Sequence, residues 1–215
     1  MRLSVFKLIL LFSIVSTVGL LGIRATNSFL SDTETSTNNV FTASESFCTE
    51  IGEVWAASVF SPSQGKRKDG TSVLPERSNP NSVLGVPDGV GSPASGFFSL
   101  GFGGNITVEF SLPVENGEGV DLSFHEITNG RNTYPLEKAK VEVSANNSNW
   151  FELTPEVSSE PGGDGVVLLD VASNASAPSS IKFVRITDTT DSAIHSNDAD
   201  GYDLDAIDGV YGCLK

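Results

Sequence analysis

Asn105-Ile-Thr-Val-Glu-Phe110 alternates polar and apolar side chains without a break: Ile106, Val108 and Phe110 against Asn105, Thr107 and Glu109. A period of two places the three apolar side chains on one face of a strand and the others on the opposite face. The same signal recurs outward from this stretch. Before it come Trp55-Ala-Ala-Ser-Val-Phe60 and Phe97-Phe-Ser-Leu-Gly-Phe102; after it come Asp121–Ile127, Ala139–Ser144, Trp150–Leu153, Val166–Asp170 and Ile181–Ile186. With a terminal strand, about eight short strands separated by turn residues predict an all-β chain, an antiparallel β-sandwich of jelly-roll type. Each sheet is expected to have one wet face and one core face. No helical period competes beyond the first 25 residues.

The chain has 215 residues, 39% of them hydrophobic, enough for a core. Its formal net charge of −14 excludes nucleic acid as the expected partner, because phosphates demand a basic surface. Residues 1–25 read as an export signal of helical type: Arg2 and Lys7, an apolar run from Leu8 to Leu21, then Gly22-Ile-Arg-Ala25 for cleavage. The run is shorter than the ~20 apolar residues of a stable span, so membrane contact is expected only through an uncleaved signal. Losing Arg2, Lys7 and Arg24 leaves ten basic against 27 acidic residues, a charge of −17. Residues 26–47 read as a flexible lead-in and 48–215 as the sandwich domain. Cys48 and Cys213 are the two cysteines. In an exported chain an even pair reads as a disulfide, worth ~4–5 kcal/mol in the chain-entropy picture.

Near the end lies Asp198-Ala-Asp200-Gly-Tyr-Asp203-Leu-Asp205-Ala-Ile-Asp208, five aspartates in eleven residues. Packed carboxylates need a counter-charge, and no Lys or Arg lies between Arg185 and Lys215. Hard oxygens around a Gly-permitted turn suit Ca²⁺, although the spacing is not that of an EF-hand. Side-chain spacing nominates Asp200 and Asp203 as ligands. Asp203, Asp205 and Ile207 would share one strand face, so loop geometry is expected up to about Leu204.

Two resemblances add to this reading. Ala25, then Phe29-Leu-Ser-Asp-Thr-Glu34, then Asn39-Val-Phe41-Thr-Ala43 resembles the start of camelysin-like and biofilm-matrix fibre proteins with SipW-dependent signal peptides, with one extra residue inside the pattern. It implies secretion from a prokaryotic cell and a surface or matrix location. Val141-Glu-Val-Ser-Ala-Asn-Asn-Ser-Asn-Trp150 resembles a hairpin of discoidin (coagulation factor type C) and galactose-binding-like domains, with Asn146-Asn147 where Asp-Gly is usual. Phe183-Val-Arg-Ile-Thr resembles their penultimate strand, Leu204–Gly212 their closing strand, and Gly85-Val-Pro-Asp-Gly89 an early Asp-Gly loop. This resemblance spans Trp55 to Cys213 in order. It implies a galactose-binding-like fold, a core position for Trp150, and a structural Ca²⁺ held by Asp88 and Asp205; if two metals bind, the acidic stretch and the Asp88 loop are each expected to hold one.

Enzyme chemistry has thin support. His125 and His195 have no metal-like spacing, His125 reads as a surface residue, and neither a nucleophile elbow nor a phosphate loop occurs. Glu126 and Glu137 are the best carboxylate pair for a glycosidase, a lesser alternative. The long Ser61–Gly96 loop offers Arg77 and Asn79 for ligand contact, with Tyr134 and Tyr202 as aromatic platforms at the rim. Lys66-Arg-Lys68 reads as a solvated basic trio. The expectation is a secreted or cell-surface, non-enzymatic module stabilised by Ca²⁺ that binds an extracellular polysaccharide or a surface protein. The competing reading is a matrix component assembling through its N-terminal arm.

Overall fold

The computed structural model describes residues 50–91, 94–128, 133–158 and 165–214, the main chain alone at 50, 51 and 211–214. Its strands are β1 (Glu50–Ser63), β2 (Val90–Gly91), β3 (Ala94–Ser95), β4 (Phe98–Ser99), β5 (Asn105–Glu115), β6 (Leu122–Glu126), β7 (Ala139–Ser144), β8 (Phe151–Val157), β9 (Val166–Leu169), β10 (Ser180–Asp188) and β11 (Asp203–Leu214). Every pairing is antiparallel. One sheet runs β8-β7-β10-β5-β1-β11-β6-β9, with β4 added on β11, and β2-β3 form a separate small hairpin. No helix among the described residues is long and apolar enough to cross a membrane.

The sheet becomes a sandwich because β1 changes partner. Glu50–Trp55 pair with β11, and Ala56–Ser63 pair with β5. Farther along β5, Val114 meets Gly212 of β11 and closes the turn of the sheet. One core cluster then joins Val108, Phe110, Val141, Val143, Val184 and Ile186 from one half to Leu122, Phe124, Leu204 and Ile207 from the other. The apolar half of the Asn105–Phe110 alternation is thus met, since Ile106, Val108 and Phe110 are fully buried, but Thr107 on the opposite face is buried as well, at 6% exposure. Each such side chain contributes roughly 1.5–3 kcal/mol of apolar burial.

Two expectations need correction. Residues 203–209 are buried without alternation, because β11 lies between β1 and β6 and is also covered by β4 and the Pro80–Val83 turn. Its carboxylates are therefore inside rather than on a wet face. Trp150 is not core: it is half-buried, and the Arg185 guanidinium lies 4.2 Å from its ring centroid. The hairpin itself forms as expected. Asn147 takes φ 58°, which Asn tolerates, and Asn146 Oδ1 accepts the amides of Ser148 and Asn149, both at 3.0 Å. The Ser61–Gly96 loop is organised by short 3-10 turns at Pro75–Arg77 and Pro80–Val83. Cys48 lies outside the described residues. So do residues 1–25, the Phe29–Ala43 arm and the Cys213 side chain; the main chain of Cys213 pairs with Ile51.

Candidate functional site

The counter-charge that the acidic stretch requires comes from the loop more than a hundred residues before it. Arg67 donates from Nε and Nη2 to the Asp198 carbonyl at 3.1 and 2.8 Å, and Lys68 Nζ donates to the carbonyls of Ala193 and His195. The main chain adds Lys68 N–H to Ala199 at 3.0 Å and Asp69 N–H to Asn197 at 3.1 Å. The basic trio is thus not simply solvated: Arg67 and Lys68 bind loop carbonyls. Arg77, following Pro75 and Glu76 in its 3-10 turn, reaches Asp200 with Nη1 to Oδ1 at 3.0 Å.

Around that ion pair is a cavity of about 100 Å³, lined by Arg77, Tyr134, Glu137, Ser196, Asp198, Ala199, Asp200 and Asp203. Ser196 and Asp198 are exposed at its mouth, whereas Glu137, Asp200 and Asp203 are buried. Asp203 accepts the Ser99 hydroxyl. Burial, and then the Asp200 charge beside it, push its carboxyl up to about 8. Burial also raises Asp200, against the pull of Arg77. Among the described residues the Asp200 Oδ2 is buried with no hydrogen-bond partner of normal geometry, although the Ser99 hydroxyl also lowers the Asp200 carboxyl.

The Asp203 shift gives a pH prediction. Its folded-state value lies above the ordinary 3.8, so between those values the folded form holds a proton that the unfolded chain has released. Stability contributed by the neutral carboxyl is complete below about pH 4 and falls as pH rises toward about 8. Asp203→Asn keeps an acceptor for Ser99 and removes the titration. It is expected to gain roughly 1–3 kcal/mol over wild type at pH 8 and nothing at pH 4, read from urea melts at both values.

The four aspartates expected to bind metal separate into two places. Asp200 and Asp203 share the cavity. Asp205 instead meets the early loop: its Oδ1 accepts the amides of Asp88 and Gly89 at 3.2 and 3.0 Å. Burial raises Asp205, the two amides lower it, and the Asp88 charge raises it further. The two segments that the resemblance assigns to one site thus meet through main-chain amides. Among the described residues, however, no three His, Cys, Asp or Glu side chains are grouped to hold a metal ion. The four do not make one coordination sphere.

The expected ligand residues divide likewise. Arg77 and Tyr134 line the cavity. Asn79 is exposed at the start of the Pro80–Val83 turn, where its side chain accepts the Asn81 amide at 3.2 Å. Tyr202 is no rim platform: it is fully buried, and burial with the charges of Glu126, Glu137 and Asp203 pushes its hydroxyl well above the ordinary value. Both Glu126 and Glu137 are themselves 7% exposed, so this pair is set in the protein beside Tyr202. His125 is bonded through Nε2 to Asp208 at 2.9 Å and lies 5.6 Å from the Trp55 ring, a more enclosed place than a surface histidine has.

Sequence reasoning missed three other features. Asp188 accepts the amides of Tyr202 at 3.0 Å and Gly103 at 2.9 Å, and burial raises its carboxyl. Asp121 is fully buried and bonds the amides of Gly117 and Val171 at 2.7 and 2.8 Å. Finally, an open cleft of about 470 Å³ lies where β1 changes partner, with Trp55, Leu84 and Leu112 in its wall.

No protein-family model matches the chain, and no curated protein does. Among solved structures, CpGH89CBM32-4 of Clostridium perfringens is 13% identical, with 72% of this chain and 94% of that one covered and a TM-score of 0.40. The family 32 CBM from C. perfringens NanJ in complex with galactose is 12% identical, with coverages of 73% and 98% and a TM-score of 0.37. The C-terminal domain of a chitobiase from Bacteroides fragilis is 13% identical; coverage is 52% of this chain and 65% of that domain, and the TM-score is 0.33. Likenesses of this degree decide neither function nor ligand, and the all-β architecture stands on the strand pairing itself.

Proposed function

We propose that this chain is an exported, non-enzymatic binding module of galactose-binding-like type that takes an extracellular carbohydrate or envelope polymer at the Arg77–Tyr134–Asp200 cavity. The observation that carries this reading is the convergence of separate segments on one small polar opening: the long loop supplies Arg77, the approach to β7 supplies Tyr134 and Glu137, and Ser196 with the acidic stretch after it supplies the rest. Loops held on a rigid sheet are where such scaffolds place recognition. A volume of about 100 Å³ is well below the ~300–1,000 Å³ of pockets that enclose a small molecule, so it suits one projecting group of a larger ligand. A glycosidase would need a cleft around the scissile bond with both carboxylates open to it, which the burial of Glu126 disfavours. Titration of the purified protein with a panel of cell-envelope and plant polysaccharides tests the reading. Tyr134→Ala is expected to weaken binding about tenfold, ~1.4 kcal/mol, without changing the melting transition by more than a few degrees. A panel without a binder, or binding indifferent to Tyr134, would refute it.

Calcium is proposed for the junction of Asp88 and Asp205 alone. Two carboxylates there would need main-chain carbonyls to complete the six to eight oxygens that Ca²⁺ takes. Extracellular modules bind at ~10⁻⁴–10⁻³ M, so millimolar calcium is expected to add on the order of 1–2 kcal/mol, a few degrees of melting temperature. Asp205→Asn should abolish that increment. A wild-type melting temperature equal in calcium and in EDTA would exclude the site. The matrix alternative assigns assembly to Phe29–Ala43. Deleting residues 26–46 would then end assembly, whereas polysaccharide binding at the cavity would survive.

A further inference from the structure

Four acidic side chains, Asp198, Asp200, Asp203 and Glu137, line the cavity against one cation, Arg77, and of these the Asp203 carboxyl, pushed up to about 8, is neutral at pH 6. Arg77 engages Oδ1 of Asp200, while Oδ2 of the same carboxylate, in a side chain only 5% exposed, has no hydrogen-bond partner of normal geometry among the described residues, the nearby Ser99 hydroxyl easing the carboxyl only in part. A buried carboxylate oxygen left without a donor is costly, and a positively charged donor is what satisfies it. The whole chain, at −14, draws cations toward it. A bare metal ion fits less well, because no three acidic or histidine side chains are grouped for one among the described residues. A complete pyranose ring is too large for about 100 Å³, but an amino group projecting from a ring outside is not. Its N–H donors match the carboxylate oxygens of Asp200 and, at the mouth, of Asp198.

We propose that the cavity receives a protonated primary amine carried on a hydroxylated ring, so that the ligand is a polysaccharide containing free amino sugars. This inference rests on the carbohydrate-binding reading and narrows it. The ring would lie against Tyr134, Ser196 and Asp198 at the mouth, with the ammonium directed at Asp200 Oδ2.

The test is calorimetric titration of the full chain at pH 6 with two probes, a glucosamine hexamer and an N-acetylglucosamine hexamer. The free-amine form is expected to bind at least tenfold more tightly. Asp200→Asn should lose at least tenfold of that affinity. Glu152→Gln, the same charge change at an exposed position of β8, should lose none. If Asp200→Asn does not fold, Asp198→Asn at the exposed mouth is expected to show a loss of the same sense. Preference for the acetylated form would overturn the amine inference and leave the carbohydrate reading standing; binding of neither probe nor any other polysaccharide would overturn both. Equal losses in Asp200→Asn and Glu152→Gln would mean general attraction to an acidic surface and would overturn the inference. So would equal affinity for a lysine hexamer, which would make the ligand a protein cation, or displacement of the amine by millimolar calcium through Asp200.

Discussion

Gly65→Ala is expected to destabilise the protein by at least about 3 kcal/mol, a large share of the roughly 5–15 kcal/mol that holds an ordinary domain folded. A Cβ at Gly65 would fall 2.3 Å from the Phe102 carbonyl oxygen and 2.8 Å from the Gly101 carbonyl carbon. Those are main-chain atoms, and no side-chain rotation relieves the clash. The crossing is reciprocal, since a Cβ at Gly101 would lie 2.4 Å from Gly65. Separating the two strands of chain would also break Gly65 N–H to Leu100 at 2.8 Å and Phe102 N–H to Lys66 at 3.0 Å. The damage would not stop there, because the amides of Leu100 and Gly101 hold the carbonyls of Tyr202 and Asp200 at 2.9 and 2.8 Å. Loss of binding should therefore accompany loss of stability. Gly70→Ala is the control: Gly70 has φ 82°, but nothing lies within 4 Å of the added carbon, so only the left-handed backbone cost of about 1–2 kcal/mol is expected. Urea midpoints of the two variants measure the difference.

Arg77→Met is the second large effect. It removes the cation that faces Asp200 while keeping much of the side chain's length. Truncating one partner of a buried ion pair costs roughly 3–5 kcal/mol when the other charge remains. Here the Arg77 side chain is 19% exposed, so the lower end of that range is the expected loss at pH 8. The loss should shrink toward pH 5. Burial already raises the Asp200 carboxyl, and without Arg77 the folded protein can take up a proton there instead of keeping an unpaired charge. Asp200→Asn in the same chain should recover most of the loss at pH 8. A double-mutant cycle at the two pH values isolates the coupling. A loss independent of both pH and Asp200 would show that Arg77 acts through packing alone.

The strands were legible where period-two alternation meets a single buried face. Ala139–Ser144 was placed at its observed limits, and β5 and β10 differ from expectation mainly at their ends. β11 was legible as a strand beginning near Leu204, but its solvation was not, because burial on both faces erases the alternation that reports which face is wet. The acidic stretch showed that a counter-charge had to exist. It could not show that Arg67, Lys68 and Arg77 supply it, since that depends on the Gly65–Gly101 crossing, which sequence spacing does not encode. Tyr202 was misplaced for a related reason: tyrosine suits a rim or a core, and its setting comes from Asp188 and the fold around it. The family resemblance placed Asp88 and Asp205 together, and the Asp88 main chain does meet Asp205, whereas Asp200 and Asp203, nominated by spacing, lie in a different place.

The central claim, that recognition occurs at the Arg77–Tyr134–Asp200 cavity, is tested most directly by mapping amide chemical shifts in the ¹⁵N-labelled protein during titration with the polysaccharide that binds. Shifts concentrated at Arg77, Tyr134, Ser196 and Asp198–Asp203, and lost in Asp200→Asn, are the predicted result. Shifts concentrated at Trp55, Leu84 and Leu112, around the larger apolar cleft, would contradict it.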